Sequence, residues 1–178
     1  NSIRMYNKRY RDEYGQMVIC ADGMNTWRKD YYPYYKAKRK KNRDNSDQDW
    51  PEIFRILGLV RDEIRENLPY KVLHLEGCEA DDIIGTLTLQ TQEFGQHEPV
   101  MIVSSDKDFI QLQKFNNVKQ YSPIQKKMVS DPNPRSYMFE HIMKGDKGDG
   151  IPNVLSPDNA IVDEIRQSPM TKKKIEYW

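Results

Sequence analysis

The stretch KVLHLEGCEADDIIGTLTLQTQEFGQHEPVMIVSSDKD, residues 71–108, decides the fold because it contains two apolar strands with a helix between them. Residues 71–75 and 100–105 have the short apolar composition of buried strands, and residues 79–94 carry apolar side chains at helical spacing. Parallel strands need such a crossover helix between them. The sequence therefore predicts an α/β fold.

Similar patterns continue on both sides of this stretch. Residues 17–21 form a further apolar run that favours a buried strand, and residues 118–122 and 127–129 predict a strand with a hairpin partner. Strands that alternate with helices favour a three-layer, mainly parallel sheet. Helices are expected over residues 3–14, 51–67, 108–114 and 136–144.

Carboxylates follow the predicted strands at corresponding positions. The carboxyl ends of parallel strands lie along one edge of a sheet, where α/β folds bind ligands. Carboxylates that converge there need a positive partner, because each one disfavours the ionisation of its neighbours. The strand-end residues are Asp22, Glu79, Asp81, Asp82, Asp106 and Asp108.

The ligand chemistry of this set favours hard cations. The three histidines do not follow the strand ends, and Cys20 and Cys78 lack the spacing of a zinc site. A cluster that offers only oxygen ligands selects Mg²⁺ or Mn²⁺. Two such ions can support in-line phosphoryl transfer. The alternative is that Glu79 and Asp82 only stabilise a helix N-terminus and that Asp22 is a turn residue.

Charge is strongly segregated along the chain, although the net charge is only +1. Residues 1–43 contain twelve lysines and arginines against four acids, whereas residues 76–108 contain eight acids against one lysine. Residues 27–41 also interleave five aromatic rings with cations, which favours phosphate binding and base stacking. A solvated charged face over packed tyrosines is the alternative. Residues 40–49 have almost nothing to bury and are expected to be mobile.

Several other features narrow the class of protein. Residues 145–150, GDKGDG, fit neither a calcium loop nor a P-loop, and they indicate a tight turn whose backbone can approach a phosphate. No apolar stretch is long enough to span a bilayer, and the first residues have no apolar signal-peptide region. Both cysteines lie in or beside apolar runs, which favours reduced, buried thiols. We expect a cytoplasmic protein (the host's cytoplasm if the chain is viral) with no membrane partner.

Several short motifs occur together in a fixed order along the chain. They are Asp22, the basic positions within 27–41, EADD at 79–82, SSDKDFIQL at 104–112, NVKQYSP at 117–123 and KGDKGDGIPNV at 144–154. This order resembles the flap endonuclease and 5′-to-3′ exonuclease family, and the resemblance covers residues 1–154. The opening NSI and the motif NVKQYSP are similar to the ribonuclease H group of T-even-type bacteriophages.

The resemblance implies a PIN-like 5′-nuclease fold and a role for each site residue. The first of two Mg²⁺ ions, which Mn²⁺ can replace, would be bound by Asp22, Glu79, Asp81 and Asp106. The second ion would be bound, partly through water, by Asp108, Asp146 and Asp149, and Asp82 is a further candidate ligand. All of these except Asp82 and Asp146 are expected to be catalytic. The expected DNA-binding residues are Arg28, Tyr35, Lys36, Lys38, Arg39 and Lys147.

The resemblance also implies a domain organisation. Residues 1–135 would form the α/β nuclease domain, incomplete at its N-terminus, and residues 136–178 a partial C-terminal helical DNA-binding region. Residues 40–49 would be a mobile arch, and GDKGDGIPN would begin a helix–turn–helix element. The chain is expected to be a fragment with weak or absent activity.

The implied function is the metal-dependent hydrolysis of RNA primers and 5′ flaps during DNA replication. The implied substrates are DNA and RNA–DNA duplexes with a 5′ flap or a single-stranded arm. A phage single-stranded-DNA-binding protein and a sliding clamp are the implied protein partners. Two alternatives stay open, namely a PIN-like ribonuclease and a non-catalytic DNA-binding module with a structural cation.

Overall fold

The computed structural model describes residues 2–93 and 96–178. Its strands are β1 (Val18–Ala21), β2 (Lys71–His74), β3 (Val100–Val103), β4 (Val118–Ser122) and β5 (Lys127–Val129). Its α-helices are α1 (Ser2–Tyr14), α2 (Arg28–Tyr31), α3 (Ala37–Asp44), α4 (Trp50–Asn67), α5 (Ala80–Gln90), α6 (Pro134–Lys144) and α7 (Lys172–Tyr177). A 3₁₀ helix covers Lys107–Lys114.

These elements confirm the predicted alternation of strands and helices and correct several details. The segment predicted over 108–114 is a 3₁₀ helix rather than an α-helix, and α7 was not predicted. Helix α5 ends at Gln90, and residue 94, its expected last residue, lies outside the described residues. Helix α3 extends to Asp44, so the first half of the expected arch at 40–49 is helical. None of the described helices combines the length and the hydropathy needed to cross a membrane.

The chain divides into two compact units. Unit 1 consists of Asn1–Thr26 and Phe54–Pro134, and unit 2 consists of Trp27–Ile53 and Arg135–Trp178. All five strands belong to unit 1. The basic segment 27–41 and the GDKGDG loop belong to unit 2.

The strands of unit 1 form two sheets. Strands β1 and β2 are parallel, with Cys20 opposite Leu73, and strands β3 and β4 are parallel, with Ile102 opposite Gln120. Strand β5 is antiparallel to β4. The predicted parallel pairing is confirmed within each sheet, but in the described part of the chain the strands do not form one continuous sheet. Apolar periodicity identifies a strand, whereas its neighbours depend on long-range packing.

The hydrophobic core of unit 1 lies around β3 and the 3₁₀ helix. Ile102, Phe109, Leu112 and Val118 are buried and are covered by partly buried apolar side chains that include Ile84. Burial of this kind anchors both ends of the loop that joins β3 to the 3₁₀ helix. The acidic residues of that loop are therefore attached to a packed scaffold.

Unit 2 does not confirm the expected helix–turn–helix element. Residues 145–171, all described, contain turns and an isolated bridge between Asp146 and Ile151, but no α-helix before α7. Gly145 and Gly150 have φ angles of +68° and +79°, which favour glycine. Such backbone angles produce tight turns and end the helical pattern of α6.

Candidate functional site

The acidic residues of unit 1 lie where strands end and helices begin. Asp22 follows the last residue of β1, and Glu79 is the N-cap of α5, which carries Asp81 and Asp82 in its first turn. Asp106 is the N-cap of the 3₁₀ helix that follows β3. The sequence correctly placed these residues at the ends of strands and the starts of helices.

The end of β1 is hydrogen-bonded to the start of α5. The Asp22 carboxylate accepts a hydrogen bond from the Ala80 backbone N–H at 2.7 Å, and the Gly23 N–H donates to the Cys78 carbonyl at 2.8 Å. A Cβ atom at Gly23 would lie 2.0 Å from the Leu75 carbonyl oxygen, so only glycine allows this approach. The structure therefore brings Asp22 to the helix N-terminus that carries the second group of acids.

Asp82 has a local structural contact. Its carboxylate accepts a hydrogen bond from the Glu79 backbone N–H at 2.9 Å, within a capping box at the start of α5. A carboxylate in this position satisfies a backbone donor and interacts favourably with the helix dipole. This contact corresponds to the helix-capping alternative that the sequence left open for Asp82.

Asp106 lies in a loop that a buried glutamine positions. The Asp106 carboxylate accepts a hydrogen bond from the Asp108 N–H at 2.9 Å, which orients it as a cap. The Gln120 side chain is fully buried and its Nε2 donates to the carbonyls of Ser104 at 3.0 Å and Asp106 at 2.5 Å. In low-dielectric surroundings such hydrogen bonds hold a backbone firmly. Gln120 is thus a positioning residue for the Asp106 loop.

Ser122 is a second buried polar residue at this loop. Its side chain is fully buried, and its hydroxyl lies 2.8 Å from the hydroxyl of Ser105. Sequence reasoning missed both Gln120 and Ser122, although they occur at alternate positions of β4 where a buried strand would carry apolar residues. A polar residue at an inward position is the signal that could have identified them.

The described carboxylates of unit 1 are not gathered into one tight cluster. In this part of the chain, no three acidic, histidine or cysteine side chains have ligand atoms that all lie within 4.8 Å of one another. Asp22 and Asp106 each use one oxygen to accept a backbone N–H, and no described residue donates to their other oxygen or forms an ion pair with them. These two residues therefore carry negative charge that the described protein does not neutralise.

Unit 2 contains an ion-pair cluster around Asp149. The carboxylate accepts a short hydrogen bond from the Arg39 guanidinium and one from the Tyr35 hydroxyl at 3.1 Å, and the Lys36 ammonium lies 3.8 Å away. The Lys36 backbone N–H donates to the Asp149 carbonyl at 2.8 Å. A predicted metal ligand and two predicted DNA-binding cations therefore bind one another.

The glycine-rich loop fits closely against the basic segment. The Asp146 carboxylate accepts hydrogen bonds from the N–H groups of Gly148 at 2.6 Å and Asp149 at 3.2 Å, which shapes the turn. A Cβ atom at Gly150 would lie 2.9 Å from the Tyr34 carbonyl oxygen. The glycines predicted to admit a phosphate thus also allow the loop to contact its own chain. Asp146 additionally lies 3.8 Å from the His141 imidazole.

The remaining predicted DNA-binding residues differ in exposure. Lys147 is exposed, whereas Lys38 is only partly exposed and its ammonium lies 3.7 Å from the Glu164 carboxylate. The Arg28 guanidinium lies 4.9 Å from the Trp27 ring centroid, which is a cation–π distance. Tyr35 is only 4% exposed, so its ring packs inside unit 2.

Two aromatic rings that were not selected from the sequence present exposed faces in unit 2. Trp27 is 45% exposed and Tyr31 is 83% exposed, and their ring centroids lie 5.7 Å apart. The pattern of residues 27–41 contained five aromatics and gave no means of ranking them by exposure. Exposed rings beside cations can stack on unpaired bases.

The sequence matches a known family of nucleases. The family model described as "5'-3' exonuclease, N-terminal resolvase-like domain" matches residues 1–140. "Ribonuclease H" of Enterobacteria phage T4 is 37% identical over 159 residues, covering 86% of this chain and 52% of that relative. The "5'-3' exonuclease" of Buchnera aphidicola subsp. Schizaphis graminum is 30% identical over 156 residues, covering 83% of this chain and 50% of that relative. The chain thus spans about half the length of these curated relatives.

The fold is also similar to solved structures from bacteriophage T5. The T5 D15 protein co-crystallized with metal ions has a TM-score of 0.73 at 17% identity, covering 98% of this chain and 73% of that one. The D15 flap endonuclease in a pseudo-enzyme–product complex with DNA and metal ions has a TM-score of 0.72, also at 17% identity, covering 98% of this chain and 72% of that one. At this identity the similarity shows a shared fold.

Proposed function

Because this chain belongs to the 5′-to-3′ exonuclease family, we propose that it provides the acidic site of a divalent-metal-dependent, structure-specific 5′ nuclease. The proposed reaction is hydrolysis of phosphodiesters in RNA primers and 5′ flaps during DNA replication. The observation that carries the proposal is the pair Asp22 and Asp106, whose charges no described residue neutralises although backbone N–H groups orient them.

The residues of unit 1 fit a hard divalent cation. Asp22, Glu79, Asp81 and Asp106 offer only carboxylate oxygens, the ligand type that Mg²⁺ and Mn²⁺ prefer. Two ions bound at such a site supply an activated water and stabilise the leaving oxygen. The predicted ligands of the second ion remain Asp108, Asp146 and Asp149. Asp82 remains a further candidate ligand, and on binding a metal ion it would either keep its capping hydrogen bond from the Glu79 N–H or exchange that bond for the ion.

The protein's own residues orient the ligands before any cation arrives. The Ala80 N–H fixes one oxygen of Asp22, and the Asp108 N–H fixes one oxygen of Asp106. Gln120 holds the backbone on which Asp106 stands. Outer contacts of this kind orient metal ligands, and their loss typically reduces metal affinity by about 10–100-fold.

The basic segment of unit 2 supports binding of nucleic acid. Lys147 offers an exposed cation for phosphates, and Arg28 is a partly exposed one. Lys38 would contact a phosphate after exchanging its partner Glu164. The exposed rings of Trp27 and Tyr31 suit unpaired bases. Lys36 and Arg39 would contact phosphates only after releasing their partner Asp149. The buried Tyr35 would support the basic segment by its packing and would not contact the nucleic acid. The proposed substrates are DNA and RNA–DNA duplexes with a 5′ flap or a single-stranded arm. A single-stranded-DNA-binding protein and a sliding clamp stay predicted partners.

Single-turnover cleavage with excess protein tests the proposal, because the activity of the chain is expected to be weak or absent. The protein is incubated with a labelled 5′-flap duplex in Mg²⁺ or Mn²⁺, beside Asp106→Asn and the matched control Asp12→Asn, an exposed acid of the same unit. Metal-dependent cleavage by the wild type and by Asp12→Asn, lost in Asp106→Asn, is the expected result. Metal-dependent cleavage at equal rates by all three proteins would contradict the proposal.

A second substrate separates the alternatives. Preferential cleavage of single-stranded RNA over the flap duplex would indicate a PIN-like ribonuclease instead. Tight binding of the flap duplex without cleavage, unchanged in Asp106→Asn, would indicate a DNA-binding module.

A further inference from the structure

Helix α1 of unit 1 carries a row of cations that the proposed site does not use. Arg4, Lys8 and Arg11 are exposed and stand at spacing i, i+4 and i+7, which places them on one face of the helix. At about 1.5 Å per residue, the row is about 10 Å long. None of the three forms an ion pair with any residue in the described part of the chain. We call these residues the α1 stripe.

Several charges near the ends of α1 interact unfavourably with the helix dipole. Its first turn has no acid and contains Arg4, whereas its last turn contains Asp12 and Glu13 beside Arg11. Cations near a helix N-terminus and acids near its C-terminus interact unfavourably with the helix dipole. Like charges at i and i+4, as in Arg4 and Lys8, also repel each other. Arg4 therefore opposes the helix dipole, and its position in the α1 stripe is not explained by the stability of the helix, whereas Arg11 in the last turn favours the dipole.

Tyrosines on the opposite face of α1 pack against the sheet and so determine which way the α1 stripe faces. Tyr6 and Tyr10 pack on the buried Tyr121 of β4, with ring centroids 5.9 Å and 6.0 Å away. The Arg9 guanidinium lies over the same Tyr121 ring at 4.6 Å. At about 100° per residue, Tyr6 lies about 200° around the helix from Arg4. The tyrosine face attaches the helix to the sheet, and the stripe faces solvent.

We propose that the α1 stripe binds the phosphate backbone of double-stranded nucleic acid. Arginine and lysine bind phosphates without regard to base sequence. The aromatic rings of α1 lie on the face packed against β4, so the stripe offers no stacking surface, unlike residues 27–41, where Trp27 and Tyr31 are exposed. This difference favours a duplex over a single strand. The proposal concerns binding and does not depend on cleavage.

A charge-matched pair of triple variants tests the proposal. The first is Arg4→Gln, Lys8→Gln and Arg11→Gln. The second is Lys71→Gln, Lys126→Gln and Lys127→Gln, which removes three exposed cations from β2, the β4–β5 turn and the start of β5 in the same unit. Each triple lowers the formal net charge from +1 to −2. The full chain is titrated into a fluorescent blunt duplex in EDTA at several salt concentrations, and circular dichroism checks the fold.

The α1 stripe variant should bind the blunt duplex at least about tenfold more weakly at low salt, and the salt slope should fall by about 0.9 per lost phosphate contact. The charge-matched control should change affinity by less than about twofold. The single variant Lys8→Gln should show the same direction of change if the triple variant is poorly folded.

Three results would overturn the proposal. Equal losses in the two triple variants would show that net charge, not the stripe, sets the affinity. An equal loss for single-stranded DNA would remove the preference for a duplex. A loss of binding to polyglutamate as large as the loss for the duplex would indicate an acidic protein as the partner.

Discussion

Asp22 of unit 1 and Asp149 of unit 2 are both predicted metal ligands, and each has opposite surroundings within its own unit. Asp22 accepts one backbone N–H, and no described residue pairs with its charge. Asp149 accepts from the Arg39 guanidinium and the Tyr35 hydroxyl and has the Lys36 ammonium 3.8 Å away. A carboxylate that the protein orients but leaves unneutralised is suited to an external cation, whereas a neutralised one must first exchange partners.

The largest expected effect concerns the glutamine that supports the unneutralised region. Gln120→Ala removes two hydrogen bonds to the Ser104 and Asp106 carbonyls and leaves a cavity in a fully buried position. We expect the free energy of unfolding to fall by about 2–4 kcal/mol. Urea denaturation measures this, with the exposed Gln125→Ala as control. A loss under about 1 kcal/mol would show that the glutamine does not position the loop.

The next effect compares the two carboxylates directly. Asp149→Asn breaks charged hydrogen bonds and should lower the free energy of unfolding by about 1–2 kcal/mol. Asp22→Asn keeps an oxygen that can accept the Ala80 N–H, so its change should stay within about 0.5 kcal/mol. Thermal or urea unfolding of the two variants gives both values. A larger loss of stability in Asp22→Asn than in Asp149→Asn would contradict the contrast between the unneutralised and the neutralised carboxylate.

The smallest expected effect concerns the burial of the Cys20 thiol in β1, the strand that ends next to Asp22. Burial raises the pKa of the Cys20 thiol to about 11 from its ordinary value of 9.0. The unfolded chain therefore loses the thiol proton at lower pH than the folded protein does. Stability from this group is complete below pH 9 and is lost as the pH rises towards 11.

Cys20→Ala provides the measurement for that window. Unfolding curves between pH 8 and 11 should fall less steeply in Cys20→Ala than in the wild type, with Cys78→Ala as the matched control. Identical pH dependence in all three proteins would indicate that the β1 thiol is not shielded from solvent.

Much of the fold follows from periodicity, because the strand and helix patterns are local. The predicted bounds 118–122 and 127–129 coincide with β4 and β5, and the helix expected at 51–67 corresponds to α4. Apolar runs bounded by polar residues are sufficient for such predictions. Cys20 and Cys78 are free, as expected of reduced thiols, but each is only partly buried and not fully buried as predicted.

The contacts within each region could not be predicted in this way. The Tyr35 hydroxyl meets Asp149 across 114 positions of the sequence, and Gln120 donates to a carbonyl 14 positions away. Such contacts depend on tertiary packing, which residue types and spacing do not encode. The expected helix–turn–helix element is not confirmed, because the turn at Gly145 and Gly150 is not followed directly by a second α-helix in the described residues 145–171.

Mn²⁺ binding to unit 1 tests the central contrast most directly. Electron paramagnetic resonance can follow a titration of Mn²⁺ into the wild type, the double variant Asp22→Asn/Asp106→Asn and the exposed control Asp12→Asn. We predict that the double variant loses at least about a hundredfold in affinity, beyond the 10–100-fold typical of outer contacts, and that the control does not change. Equal Mn²⁺ affinity in the double variant and the wild type would contradict the account.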